Sequence, residues 1–338
     1  MAAAKKKINK WAISVAMVVT VLAVWLSFRA VEWQVVRKTF AQANYFWVAL
    51  ALTNSLFGVY AMGWRWRILL RPKEKIPMSS LFRLNIIGQY ANILMPARTG
   101  EVVRAYIAAR DSGISGGFIL GTIAIERIFD FMVFLTLWLC MPSFFAFSKG
   151  QGISFLVFML GGVAILLLAV FVFRPGPFIN LTRWITKVLP ERFREKVYLQ
   201  IDNLSEAFVL LQKPMVFLAI AAITFALILN MFLTNLFMFQ AFHFKLPLWA
   251  GLFLILVRQT GDLPPAMPGR IGIFEYTVIL ALAAFSVERS AALSFGIMLH
   301  IVAYVPKIIL GSIYGVRLGL KDNPSPARER ARTAGETK

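Results

Sequence analysis

Apolar runs of about twenty residues, separated by short basic segments, recur along these 338 residues and leave few folds open to them. Hydrophobic residues make up 59% of the chain and charged residues 15%, whereas soluble domains carry about a quarter charged residues. In a bilayer, a helical run of roughly 20 apolar residues satisfies its own backbone and covers about 30 Å of hydrocarbon. The runs at 11–28, 45–63, 116–141, 150–173, 214–242 and 290–316 therefore read as six full transmembrane helices. Two further apolar regions, 80–112 and 248–286, are interrupted in the middle by Pro and Gly, with leading halves of about 16 residues that are short for a crossing. They read as broken helical hairpins, re-entrant or fully spanning. The fold class is all-α, a polytopic membrane protein with about eight to ten membrane segments.

Charge placement assigns the sides. The net charge is +20, and Lys and Arg collect in the short segments between apolar runs, where they hold loops on the cytoplasmic face and meet anionic headgroups. That placement argues against nucleic acid as a partner. It puts the N-terminus, the 64–79 loop, the 174–213 segment and the tail after Arg317 inside, in the cytoplasmic membrane of a cell. Segment 178–213 reads either as amphipathic helices on the interface or as a solvated linker. The resulting parts are 1–44, a first helix and outer loop; 45–141, a first unit with hairpin 80–112; 142–213, a helix and cytoplasmic segment; 214–317, a second unit with hairpin 248–286; and 318–338, a disordered tail.

The two hairpin tips resemble one another. One reads Met95-Pro96-Ala97-Arg98-Thr99-Gly100 and the other Met267-Pro268-Gly269-Arg270-Ile271-Gly272. Each hairpin lies between two long apolar runs, and by the charge assignment the first enters from the cytoplasm and the second from outside. This is the inverted-topology arrangement in which transporters place a substrate where broken helices meet. Pro stops the leading half-helix and Gly allows the turn, so N–H groups at the start of each trailing half-helix are expected to face an anion that Arg98 or Arg270 grips.

Ionisable residues inside apolar runs are costly and mark function or structural ion pairing. Glu126, Arg127 and Asp130 lie well inside the run 116–141, with Glu126 and Asp130 one turn apart. They read either as substrate contacts or as ion pairs stapling this helix to a hairpin. Glu101 and Arg104 follow Arg98 at spacings of three, while Arg258, Asp262 and Glu275 surround the second tip. His300 and Lys307, in the last run, read as packing or interface residues.

The stretch from Asn92 to Arg104, then Glu126-Arg127 with Asp130, then Pro268 to Glu275 with its Pro-Gly-x-x-Gly-x-x-Glu pattern, resembles the membrane module of the lysylphosphatidylglycerol synthase and flippase family. The likeness covers about residues 10–317 and implies lipid translocation. It places the family's first motif on Pro96, Arg98, Gly100, Glu101 and Arg104, its central motif on Glu126, Arg127 and Asp130, and its second on Pro268, Gly269, Gly272 and Glu275. Ala97 and Arg270 stand where Gly is common in that family.

The expected function is translocation of an anionic amphiphile: a phospholipid, a polyprenyl-phosphate-linked lipid or a hopanoid-type lipid. Its partners are anionic membrane lipids, with a homo-oligomer or lipid-biosynthesis enzymes as further candidates. No cofactor, metal or catalytic residue is expected, because His243 and His300 lack metal-ligand spacing to Cys or carboxylates and there is no phosphate-binding glycine loop. A membrane-embedded lipid-modifying enzyme and a non-transporting scaffold are the alternatives.

Overall fold

The computed structural model describes residues 10–29, 31–73, 76–95, 99–149, 202–263 and 267–322, with isolated positions at 162, 163, 166, 176 and 198. The expected run 150–173, the tip residues Pro96 and Arg98, most of segment 174–201 and the tail from 323 fall outside them. Among the described residues every regular element is helical. The helices are α1 (Lys10–Phe28), α2 (Trp33–Gln42), α3 (Tyr45–Leu70), α4 (Met78–Leu94), α5 (Gly100–Ser112), α6 (Gly116–Lys149), α7 (Pro214–Ala241), α8 (Trp249–Gly261), α9 (Ile273–Ala283) and α10 (Arg289–Asp322).

Three helices among the described residues are long and apolar enough to cross a membrane: α3, α7 and the Arg289–Val316 part of α10. The bent pair α1 and α2, at 80° to each other, meets the same criterion when counted as one span. The six crossings expected from the sequence are thus recovered in part: 11–28 and 116–141 are helical, and 150–173 is not described.

Two segments are more helical than the sequence suggested. The expected outer loop contains α2, whose Val36 is buried while Arg37 and Lys38 point outward. Apolar Val36 and Phe40, four residues apart, give this short segment one face to bury, and it packs on α10. Helix α6 continues through the expected outer loop to Lys149.

Apolar side chains lie on the outside of the bundle as well as in its core, and a few charged and polar groups are buried among them. Met215, Leu218 and Phe225 of α7 are exposed, whereas Arg65, Asn85, Arg104 and Glu126 are buried. That arrangement suits hydrocarbon, where polar groups must find partners inside the bundle. Its longest seam joins α3 to α7. There Asn54 Nδ2 donates to the Asn230 carbonyl at 2.7 Å and to Thr234 Oγ1 at 2.9 Å. Asn230 Nδ2 donates in return to the carbonyl and Oδ1 of Asn54, at 2.9 and 2.8 Å. Gly58 makes room for this clasp, since a Cβ there would lie 2.5 Å from Asn230 Oδ1.

The two hairpins are α4 with α5, and α8 with α9, each pair packed together. Their helices have 17, 13, 13 and 11 residues. At 1.5 Å per residue they span about 25, 20, 20 and 16 Å, all short of the roughly 30 Å of hydrocarbon. The turn Pro268–Arg270 at the second tip packs against α4, so the second tip meets the first hairpin.

In the first hairpin a Cβ on Gly100 would collide with the Gly88 carbonyl oxygen. Gly116, by contrast, has nothing within 4 Å of such an atom. Gly100→Ala is therefore expected to destabilise the protein by about 1–3 kcal/mol, the usual cost of overpacking. Gly116→Ala should melt like the parent in the same detergent; equal melting of both variants would contradict this packing.

Candidate functional site

A cavity of about 660 Å³ lies between the two hairpins, walled by α3, α6, α7 and α10 as well. Phe131, Phe134, Leu227, Met231 and Leu299 make part of its lining apolar. Five cations and three carboxylates also face it: Arg65, Arg127, Arg258, Arg270 and Lys307 against Glu101, Asp130 and Asp262.

The wall formed by α3, α5 and α6 is a tight ionic lattice. Arg65, wholly buried on α3, holds Asp130 with both terminal nitrogens, at 2.5 and 3.2 Å. Its Nη1 also donates to Thr224 Oγ1 at 3.1 Å, and its Nε lies 3.5 Å from Glu126 Oε1. Arg104 on α5 donates to Glu126 Oε2 at 2.6 Å and to Asn85 Oδ1 at 2.5 Å, with its guanidinium 4.2 Å from the centre of the Trp66 ring. Arg127 completes the lattice, 3.3 Å from Asp130 Oδ2 and 3.8 Å from Glu101 Oε1. Three guanidiniums thus face three carboxylates across three helices, and the planar forks make the pairing directional.

The opposite wall is less balanced. Asp262, at the end of α8, serves two arginines, 3.7 Å from Arg258 and 2.9 Å from Arg270. Arg270 also donates to the Asp262 carbonyl at 2.8 Å. Its backbone has φ 52°, the left-handed region, which costs a non-glycine residue about 1–2 kcal/mol. Gly269 and Gly272, at φ 77° and 87°, flank it. Helix α1 braces this tip: Thr20 Oγ1 accepts from the Met267 amide at 3.1 Å, and Ser27 Oγ donates to the Gly272 carbonyl at 2.9 Å.

The structure revises the expected use of the hairpin amides. The Gly100 N–H donates to Asn92 Oδ1 at 2.8 Å, and the Gly272 N–H to Glu275 Oε2 at 2.6 Å. Each tip thereby consumes the first amide of its trailing helix internally, and each of those helices carries a carboxylate, Glu101 or Glu275, in its first turn. A carboxylate there already complements the positive end of the helix dipole.

Of the residues singled out from the sequence, Glu101, Arg127, Asp130, Arg258, Asp262 and Arg270 line the cavity. Arg104, Glu126 and Glu275 sit behind its walls as supports. Glu275 also meets His300 Nδ1 at 2.6 Å, and that ring packs against Phe274 and Tyr304. Arg98 and Pro96 lie outside the described residues. Sequence reasoning missed Arg65, placed in a cytoplasmic loop, and Lys307, set aside as packing.

Because Glu126 serves both Arg65 and Arg104, Glu126→Met should destabilise the protein by about 3 kcal/mol or more. The double variant Arg104→Met, Glu126→Met should recover part of that loss, since one uncompensated guanidinium is removed. Thermal melting of the purified variants checks this; a double variant that melts below the single one would disprove the coupling.

Comparison with known proteins finds relatives and a family for this chain. UPF0104 membrane protein MJ1078 of Methanocaldococcus jannaschii is 24% identical over 225 residues, 66% of this chain and 92% of that protein. UPF0104 membrane protein MJ1595 of the same organism is 20% identical over 288 residues, 82% of this chain and 86% of that protein. Residues 11–311 match the model of the lysylphosphatidylglycerol synthase TM region. The match spans both hairpins, the ionic lattice and most of α10, and on it the chain belongs to the lysylphosphatidylglycerol synthase TM region family.

Proposed function

We propose that this membrane protein translocates an anionic amphiphile between bilayer leaflets. The observation that carries the reading is the composition of the cavity: five cations and three carboxylates beside aromatic and aliphatic side chains, inside a bundle whose outer surface is apolar. A headgroup needs the first kind of surface and an acyl or prenyl chain the second. Two hairpins too short to cross supply much of the charge, as in transporters that place substrate between broken helices. In this reading the hairpins have inverted topology, six full spans surround them, and both termini face the cytoplasm of the cell membrane.

Reconstitution in liposomes with a headgroup-labelled phospholipid tests the proposal. Addition of protein should make inner-leaflet label accessible to a membrane-impermeant quencher. Arg270→Ala and Arg98→Ala should each slow that exchange by about tenfold or more while melting like the parent, since each removes a charge-assisted contact of the kind worth about 1.5–3 kcal/mol. Unchanged exchange in both variants would refute the site. A new covalent product would instead indicate a lipid-modifying enzyme, and neither change a scaffold.

A further inference from the structure

The excess positive charge of the cavity is confined to one wall. Among the described residues, Arg65, Arg104 and Arg127 are matched by Glu101, Glu126 and Asp130, so the α3, α5 and α6 side is neutral. On the other side Arg258, Arg270 and Lys307 line the cavity with Asp262 as their shared carboxylate. Glu275 stands behind this wall, off the cavity, engaged with the Gly272 amide and His300. Lys307 makes no ion pair with any described residue, yet it is placed on α10 facing the same cavity, one residue after Pro306. A cation in such surroundings is poorly compensated, and the most effective remedy is an anion brought by the ligand.

The size of the excess specifies that anion. Among the described residues the cavity surface carries two more cations than carboxylates, and that surplus sits on the second-hairpin side. A phosphodiester headgroup brings one negative charge and leaves one cation unmatched. A phosphate monoester near neutral pH brings up to about two, with three terminal oxygens for three donors. Arg258 and Arg270 present planar forks, and Lys307 a compact point charge, a set suited to a terminal phosphate. The strained backbone at Arg270, held by Gly269 and Gly272 on either side, fixes one of those forks toward Asp262 and the cavity.

We infer that the second-hairpin wall binds a phosphate monoester, the dianionic group of a single-phosphate amphiphile, through Arg258, Arg270 and Lys307. The lipid source of that phosphate rests on the translocation proposed above, whereas the cations would meet the same group in solution.

The test is binding by the purified full chain in detergent of short-chain phosphatidic acid and of phosphatidylglycerol with the same acyl chains. At about pH 7 the monoester should bind at least about tenfold more tightly, and at about pH 5, where it keeps about one charge, the preference should shrink below about threefold. Lys307→Met should abolish the preference at the higher pH while Lys307→Arg retains it, with both variants checked for parental melting. Should Lys307→Met fail to fold, Arg258→Gln carries the same expectation. Equal affinity for the two lipids, or a preference untouched by either variant, would overturn the inference.

Glycerol phosphate as a soluble competitor distinguishes the sources. Displacement of phosphatidic acid at comparable concentration places the natural monoester in solution, and failure to displace places it in the lipid, both in keeping with a monoester site. In liposomes, monoester preference in binding without headgroup exchange would sink the translocation reading alone. Equal exchange of both lipids, together with equal binding, would sink the monoester assignment alone.

Discussion

Charges deep in a hydrocarbon-facing bundle must be cancelled where they stand, and the lattice of Arg65, Arg104, Arg127, Glu101, Glu126 and Asp130 does this for one side of the protein. In a low-dielectric interior an unpaired guanidinium costs several kcal/mol, and Glu126 and Asp130 each serve two of the three guanidiniums. The lattice therefore fixes α3, α5 and α6 relative to each other more rigidly than apolar packing would. Helix α4 joins through Asn85, and α7 through Thr224. The first hairpin is consequently bolted to the bundle.

The second hairpin is attached by different means. Its turn rests on α1 through hydroxyl contacts, and Glu275 links it to His300 of α10. The charged residues nearest the cavity on this side are shared unevenly, two arginines to Asp262. Among the described residues one wall is thus balanced in charge and the other is not.

Much of this was legible in the sequence, because ionisable residues stand out in apolar runs. Glu126, Arg127 and Asp130 were conspicuous for that reason, and the Pro and Gly of each tip marked where the hairpins turn. Arg65 escaped because it sits beside Arg67 and Arg71, in what reads as a basic loop; only the continuation of α3 to Leu70 shows it to be interior. A buried arginine and a loop arginine look alike until the helix end is known. Lys307 was more accessible, being the sole charge between Ser290 and Val316, yet a lone lysine in an apolar run does not say what it faces. The capture of the Gly100 and Gly272 amides could not be read from spacing, since it depends on Asn92 and Glu275 folding back over their own tips.

The asparagine clasp between α3 and α7 borders the cavity, because Ser55, Gly58 and Val59 on one helix and Asn230, Thr234 and Asn235 on the other also line it. Four hydrogen bonds close that seam, and in lipid none of the freed groups would find water to replace its partner. A passage to the acyl chains opening between these two helices would have to strip all four at once. Under the translocation proposed above, that seam serves as a closed back plate.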